Sequence, residues 1–259
     1  MQLTTVCVKS GCTWILMVVL LAVGGKAAPL LAADKLVIGT AYKVLLSTPA
    51  QDGMLDRIAK EAFRRIGLDV ELPYLPTERS IRAANDGLHD GELNRVAGMV
   101  ALYPNLVRVD EPMMDFAFVG FTRNDAIAGG RWENLKPYQI GLIKGWKILE
   151  TNVGGFPHLT WYHSAEDLFR GLDAGRVDVI LYGKLIGWAV MHDLGLQGIR
   201  TVDPAYASRP MYMYLHRRHR ELTAALTAAL AAMKRDGTYA AIVDQALAPL
   251  KRSVGDAKR

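Results

Sequence analysis

The strongest constraint on the fold is the alternation, along residues 34–259, of short apolar segments with amphipathic helical segments. Residues 36–39 form a short apolar run. Residues 53–66 then carry apolar side chains at i, i+3 and i+4 spacing, followed by Gly67. The first pattern indicates a buried strand and the second a helix with one apolar face. Because the alternation repeats, the sequence predicts an α/β protein with parallel strands.

The same alternation continues to the C-terminal end. We expect further strands over residues 70–74, 139–143, 177–182 and 210–216, and further helices over residues 77–85, 145–151, 164–175, 185–194, 220–235 and 238–247. Thr77 and Ser164 are expected to cap the helices that begin beside them, because their hydroxyl groups can accept a hydrogen bond from the first turn. A chain of this length fits two α/β lobes of roughly a hundred residues each.

Residues 1–33 have the features of a secretory signal peptide. Lys9 precedes an apolar run over residues 14–23, which is shorter than the roughly 20 residues that span a bilayer. Small residues follow, so we expect cleavage after Ala33 or after Ala27. The alternative is an uncleaved N-terminal anchor. We therefore expect an exported protein, located in the periplasm if the source is a Gram-negative bacterium.

Composition excludes several classes of function. Cys7 and Cys12 both lie in the leader, so neither a disulfide framework nor a cysteine-based zinc site is expected downstream. Without the leader the formal charge falls from +5 to +3, too little to predict a nucleic-acid partner. Serine-hydrolase, Walker and zinc-protease motifs are absent, and the histidines have no metal-ligand spacing beyond His216-x-x-His219. We therefore expect neither a metal nor a cofactor.

Four strings of the sequence carry a family resemblance. They are Lys35-Leu36-Val37-Ile38-Gly39, the helix between Gly53 and Gly67, Leu172-x-x-Gly175-Arg176-Val177-Asp178, and Leu222…Leu226…Leu230…Asp236-Gly237-Thr238-Tyr239. In this order and spacing they resemble the bacterial extracellular solute-binding proteins of family 3, the polar amino-acid type that serves ABC importers. The likeness covers residues 34–249.

The resemblance implies the type II periplasmic-binding fold, in which two Rossmann-like α/β lobes are joined by a two-strand hinge. The first lobe would comprise residues 34–120 plus 212–259, and the second lobe residues 121–211. Crossing strands near residues 119–123 and 208–212 would form the hinge. A ligand would bind between the lobes, at the carboxyl ends of the strands, and would stabilise the closed arrangement.

The charged groups that hold an amino acid in this family are missing at the matching positions. Family members bind the ligand carboxylate with an arginine, and the ammonium with an aspartate five residues after the Val-Asp pair. Here the arginine position falls on Asn105 or Tyr103, depending on the end from which it is counted, and the aspartate position falls on Gly183. A zwitterion desolvated without counter-charges is strongly disfavoured. We therefore expect an anionic or aromatic ligand instead of an ordinary α-amino acid.

Eight residues are candidates for contact with this ligand. They are Tyr42, Arg79, Arg95, Tyr103, Trp146, Lys147, Tyr182 and Lys184. Arg79 and Arg95 carry guanidinium groups suited to carboxylates or phosphates, and the alternative for each is an ion pair with a nearby carboxylate. Tyr42 stands where the family places an aromatic lid, and the alternative is an exposed loop tyrosine.

Tyr103 stands at one of the two positions that match the family's arginine. The last four candidates belong to the second predicted lobe. Trp146 and Lys147 follow Gly145, where the family begins a helix whose amide groups can bind an anion. Tyr182 and Lys184 flank the altered aspartate position. A lysine there favours an anionic ligand, and the alternative is a solvated side chain.

The expected function is reversible capture of a small polar solute by a monomeric, non-catalytic protein that delivers it to an ABC permease or a membrane sensor. The alternative is an enzyme on the same scaffold, similar to periplasmic cyclohexadienyl dehydratases. In that case Arg79, Arg95 and Lys147 would hold a carboxylate. Glu78 or Glu111 would donate the proton to the leaving hydroxyl group.

Overall fold

The computed structural model describes residues 35–41 and 44–255. The strands are β1 (Leu36–Gly39), β2 (Val70–Glu71), β3 (Gly91–Val96), β4 (Leu106–Arg108), β5 (Met114–Thr122), β6 (Ile140–Ile143), β7 (Leu159–Tyr162), β8 (Val179–Gly183) and β9 (Arg200–His216). The helices are α1 (Met54–Arg65), α2 (Thr77–Asn85), α3 (Lys147–Val153), α4 (Ala165–Asp173), α5 (Lys184–Asp193), α6 (Leu222–Arg235) and α7 (Thr238–Gly255). The predicted signal peptide and the candidate Tyr42 lie outside the described residues.

The described strands are linked in the order β2-β1-β3-β9-β5-β8-β6-β7, with β4 also paired to β9. At one end β1 pairs in parallel with β2 and β3, and at the other β6 pairs in parallel with β7 and β8. The long antiparallel pair of β5 and β9 joins these two parallel ends. The α/β class predicted from the alternation is thereby confirmed, whereas the antiparallel pairing at the centre of the sheet was not part of that prediction.

Apolar helix faces cover the sheet and form its core. Leu55, Ile58 and Phe63 of α1 are fully buried, as their helical spacing predicts. Complete burial of such a side chain contributes roughly 1.5–3 kcal/mol to folding. A second cluster, around Phe121 and Phe169, packs α4 and α5 against β8. Within the described ranges, every helix is too short or too polar to cross a membrane.

An extra residue in β3 sets the orientation of two charged side chains. Glu92 pairs with Tyr214 and Arg95 with Tyr212, so three steps along β3 match two along β9. Asn94 has a φ of 60°, in the left-handed region that asparagine tolerates better than most residues. On a regular strand, residues three apart face opposite sides. The bulge instead allows Glu92 and Arg95 to form an ion pair.

The predicted helix caps have different outcomes. Ser164 caps α4 as expected, since its Oγ accepts a hydrogen bond from the Asp167 amide at 3.0 Å and donates one to the Asp167 carboxylate at 2.7 Å. The cap predicted for α2 is wrong. Pro76 occupies the N-cap position and Thr77 is the first helical residue, whose carbonyl oxygen accepts a hydrogen bond from Arg95.

Replacing Ser164 tests the cap of α4. We expect Ser164→Ala to lower the free energy of unfolding by about 1 kcal/mol, because the Asp167 amide loses its acceptor. Ser164→Thr keeps the hydroxyl group and should stay close to wild type. Urea denaturation of the three proteins measures the difference. An equal loss in both variants would contradict the capping role.

Candidate ligand-binding cleft

A cavity of about 540 Å³ lies between the two parallel ends of the sheet. Val44, Thr77 and Arg95 line it from the side of β1 and β3, and residues 144–146 and Tyr182 line it from the side of β6 and β8. The segments that carry these side chains lie at or just beyond the carboxyl ends of their strands. This is where open α/β sheets bind ligands.

Arg95 is the buried cation of this cavity, with its side chain only 10% exposed. Its Nη2 donates to the carbonyl oxygen of Thr77 at 2.9 Å and to the carboxylate of Glu92. Its Nε is buried and has no acceptor among the described residues. The guanidinium group is therefore held in place by two acceptors, and its Nη1 makes no hydrogen bond to a described residue.

Glu92 lies behind Arg95 and is fully buried. It accepts hydrogen bonds from the Ser80 hydroxyl and from Arg95. Burial raises the pKa of Glu92 to about 7, although Arg95 and Ser80 both act to lower it. The ion pair given above as the alternative for Arg95 is present. Because Glu92 is only partly ionised near neutral pH, it neutralises Arg95 incompletely and leaves a positive charge beside the cavity.

A second cavity of about 280 Å³ lies next to the first, and Trp146 lines both of them. The centroid of the Trp146 ring lies 5.5 Å from that of Phe116, 5.3 Å from that of Phe118 and 5.6 Å from that of Tyr182. The smaller cavity is lined by Val96, Phe116, Phe118, residues 145–148, Arg209 and Met211. Its wall is therefore largely aromatic and aliphatic.

The charges that line the two cavities have one sign. Arg95 and Lys144 line the larger cavity, and Lys147 and Arg209 line the smaller one. Among the described residues, neither lining includes an aspartate or a glutamate. The charged side chains that line the two cavities in the described residues are therefore all basic.

Two candidates of the second predicted lobe lie at the lining of the cavities, and one of them is already engaged in an ion pair. Lys147 is exposed and forms an ion pair of 2.9 Å with Glu150. The same carboxylate accepts a hydrogen bond from the Gly145 amide at 2.6 Å, so this amide is occupied by the protein itself. Tyr182 lines the larger cavity, and burial raises the pKa of its phenol.

Three other candidates do not line either cavity. Arg79 is exposed on α2. The Tyr103 hydroxyl donates to the carboxylate of Glu78 at 3.2 Å, at the outer surface of α2. Lys184 forms an ion pair of 3.2 Å with Asp203.

Several lining residues were missed by the sequence reasoning. They are Val44, Lys144, Phe116, Phe118, Arg209 and Met211. The Phe-x-Phe spacing in β5 was an available signal, because alternate residues of a strand face the same side. Lys144 and Arg209 carried no comparable pattern.

The structure gives a steric reason for the missing aspartate at position 183. A Cβ atom on Gly183 would lie 2.6 Å from Cζ of Phe116, well inside van der Waals contact. Phe116 is only 4% exposed, and its ring contacts those of Phe118 and Trp146. The space that a longer side chain would need at this position is therefore filled by an aromatic ring.

Comparisons with known proteins support a fold assignment. No protein-family model matches the chain. An uncharacterized protein of Shewanella oneidensis is 24% identical over 201 residues, which cover 74% of this chain and 75% of that protein. A histidine kinase sensor domain with similarity to periplasmic binding proteins has a TM-score of 0.63 and 18% identity, covering 83% of this chain and 96% of that one. An ancestral arginine-binding protein bound to glutamine has a TM-score of 0.61 and 20% identity, with coverage of 82% and 96%.

The chain has the type II periplasmic-binding fold. The fold expected from the resemblance is thus confirmed, and the low identities agree with a divergent branch. The larger cavity lies between the two parallel ends of the sheet, which the β5–β9 pair connects.

Substitution of Gly183 tests the contact with Phe116. We expect Gly183→Ala to lower the free energy of unfolding by about 1–3 kcal/mol, because the new methyl group overlaps the phenyl ring. Gly155→Ala is the matched control, since a Cβ atom there meets nothing within 4 Å and its φ is not positive. Thermal and urea denaturation provide the measurement. Equal stability of the two variants would contradict the steric account.

Substitution of Glu92 tests its raised pKa. In the unfolded chain a glutamate titrates near 4.5, whereas Glu92 titrates near 7, so the folded state binds the extra proton and stability falls as pH rises between these values. Glu92→Gln removes this titration. We expect the variant to gain stability relative to wild type between pH 5 and 8, by on the order of 1–3 kcal/mol.

The comparison must be made as a difference between variant and wild type. Burial lowers the pKa of His89, which makes stability rise with pH in part of the same range. The His89 ring lies close to the Glu92 carboxylate, so the comparison is made in a His89→Gln background, where this contribution is absent from both proteins. The exposed Glu133→Gln serves as the control. A difference for Glu92→Gln that does not change with pH would show that Glu92 does not titrate in this range.

Proposed function

We propose that this protein binds a small anionic solute reversibly in the cleft and does not transform it. The observation that carries the proposal is the lining of the two cavities, which combines basic side chains with aromatic rings and, in the described residues, lacks acidic groups. Arg95 is the main anion-binding group, because it is buried, fixed by Thr77 and Glu92, and still has unused donors. A guanidinium group so arranged suits a carboxylate.

We further propose two lobes, residues 34–120 plus 212–259 and residues 121–211, with β5 and β9 as the hinge. The division is supported by the pairing of β9 with β3 and β4 on one side and of β5 with β8 on the other. The β5–β9 register also shifts between Phe118 and Gly120, which interrupts the ladder midway. Such irregularities bend strands.

Binding is coupled to closure in this proposal. Arg95 belongs to the first proposed lobe, and Trp146, Lys144 and Tyr182 belong to the second. A ligand that contacts both sets gains contacts only when the lobes approach each other. Its differential affinity for the closed arrangement then shifts the population toward that arrangement.

The closed protein would be read by an ABC permease or by a membrane sensor. Both receivers are compatible with the fold, since one similar structure is a histidine kinase sensor domain and another is an arginine-binding protein. We propose export through the N-terminal signal peptide, action in the periplasm as a monomer, and no requirement for a metal or cofactor.

Catalysis on this scaffold has less support. A dehydratase needs a proton donor beside the substrate. Glu78 pairs with Arg82 at 2.7 Å, and Glu111 pairs with Lys234 at 2.6 Å, and neither glutamate lines the cavities. Both carboxylates are therefore engaged elsewhere on the first proposed lobe.

Calorimetry and thermal shift with phenylacetate and its neutral isostere phenylacetamide test the proposal. We expect phenylacetate to bind and to raise the melting temperature, because only the acid can pair with Arg95. Arg95→Gln should weaken phenylacetate binding roughly 10- to 100-fold. Arg79→Gln should leave it unchanged, because Arg79 is exposed and lines neither cavity.

Two controls keep this test decisive. Arg95→Gln leaves Glu92 without its partner, so the double variant Arg95→Gln, Glu92→Gln is measured as well and should show the same loss of affinity. Product analysis after prolonged incubation should recover the acid unchanged. Equal binding of the acid and the amide, or full affinity in the double variant, would refute the anion site at Arg95.

A further inference from the structure

We propose that the ligand is an amphipathic carboxylate that fills both cavities at once, with its carboxylate beside Arg95 and an apolar tail passing Trp146 into the smaller cavity. The inference rests on the proposed function and specifies its ligand class. It takes the two cavities as two compartments of one site, because they share Gly145 and Trp146.

The larger cavity supplies hydrogen-bond donors for the carboxylate. Arg95 presents a guanidinium group whose Nε is buried without an acceptor in the described residues. Lys144 adds an exposed ammonium group, and Tyr182 and Thr77 add hydroxyl groups at the lining. A hydrogen bond between a guanidinium group and a carboxylate is charge-assisted and is stronger at a partly buried site than in water, so a carboxylate placed beside Arg95 gains affinity.

The smaller cavity suits a group that makes no hydrogen bonds. Phe116, Phe118 and Met211 are each at least 94% buried, and Val96 and Ile148 complete an apolar wall. The volume of about 280 Å³ is enough for a six-membered ring or a short branched chain. Moving such a group out of water into this space adds affinity in proportion to the apolar area covered.

The charges around the smaller cavity exclude a basic tail. Lys147 and Arg209 line it, and Lys147 is already paired with Glu150. An ammonium group on the tail would lie near two cationic side chains, and the described lining contains no carboxylate to pair with it. A tail without a positive charge avoids this repulsion, so the ligand class is a carboxylate with an aryl or alkyl tail.

A ligand pair separates the contributions of the two compartments. Propionate carries the head alone, and 3-phenylpropionate carries the same head with an aromatic tail. We expect 3-phenylpropionate to bind wild-type protein roughly 10- to 100-fold more tightly than propionate in calorimetric or thermal-shift titrations. Arg95→Gln, Glu92→Gln should weaken both acids by the same factor.

A matched pair of variants locates the tail. Val96→Trp fills the smaller cavity without changing charge and should abolish the advantage of 3-phenylpropionate while leaving propionate binding unchanged. Val100→Trp is the control, since Val100 is 43% exposed, close to the 41% of Val96, and lines neither cavity. If Val96→Trp fails to fold, Ile148→Trp is measured instead, because Ile148 also lines the smaller cavity.

The failures of the inference and of the proposed function give different results. Equal affinity for the two acids, or an advantage that survives in both the Val96 and Ile148 variants, overturns the two-compartment site and leaves the anion site intact. No binding of propionate, 3-phenylpropionate or phenylacetate to wild type overturns both. The inference stands if the tail advantage is present in wild type and in Val100→Trp and is lost in Val96→Trp.

Discussion

The antiparallel pairing of β5 with β9 is the constraint on which the rest of the structure depends. Each parallel end of the sheet is small, and the path from one end to the other runs through these two strands. The register pairs Met114 with Met211 and Thr122 with Arg200. Since alternate residues of a strand share a face, the same pairing that joins the ends also places Phe116 and Phe118 together beneath the cleft. The strand pairing that joins the two ends of the sheet therefore also positions aromatic residues of the smaller cavity.

The buried pair of Glu92 and Arg95 is difficult to explain by stability alone. Desolvation of two charges commonly offsets their attraction, and apolar residues of similar volume would serve the core as well. The pair makes sense if the position of the guanidinium group matters. Glu92 and the Thr77 carbonyl fix Arg95 in place, which in the proposed function would reduce the entropy lost on binding a ligand. The raised pKa of Glu92 limits the cost, because the carboxyl can be partly neutral.

Hydrophobic periodicity predicted the helices well and the central strands poorly. α1 and α4 follow regular apolar spacing, and their ends fall within one or two residues of the expectation. β3 escaped prediction because Glu92, Asn94 and Arg95 are polar and yet buried, and because the bulge breaks the two-residue repeat. Glu92 and Arg95 form hydrogen bonds to Ser80 and Thr77 of α2, contacts between separate segments that local patterns cannot reveal, and the side-chain amide of Asn94 has no partner among the described residues.

The first part of β9 escaped prediction for a different reason. The apolar pattern predicted residues 210–216 and the resemblance a hinge strand near residues 208–212, whereas the strand begins at Arg200 and includes Pro204 and Pro210. Prolines normally indicate a break, but pairing with β5 carries the strand past them. The residues of the candidate site were also predicted only in part, depending on whether the strands that carry them were predicted. Trp146 follows β6 and Tyr182 lies in β8, two strands that were recognised, whereas Phe116 belongs to β5, which was predicted only at its end.

Packing between α5 and α7 restricts how the proposed lobes can move. Ala189 of α5 packs with Leu247 and Leu250 of α7 and with Leu45 in one apolar cluster. The two helices belong to different lobes in the proposed division. A rotation that separated them would expose apolar surface at a cost of roughly 25 cal/mol per Å². A rotation about a line through this cluster and the β5–β9 pair keeps both contacts. With such a rotation, the ligand of the proposed function needs to supply only the difference in free energy between the open and the closed cleft.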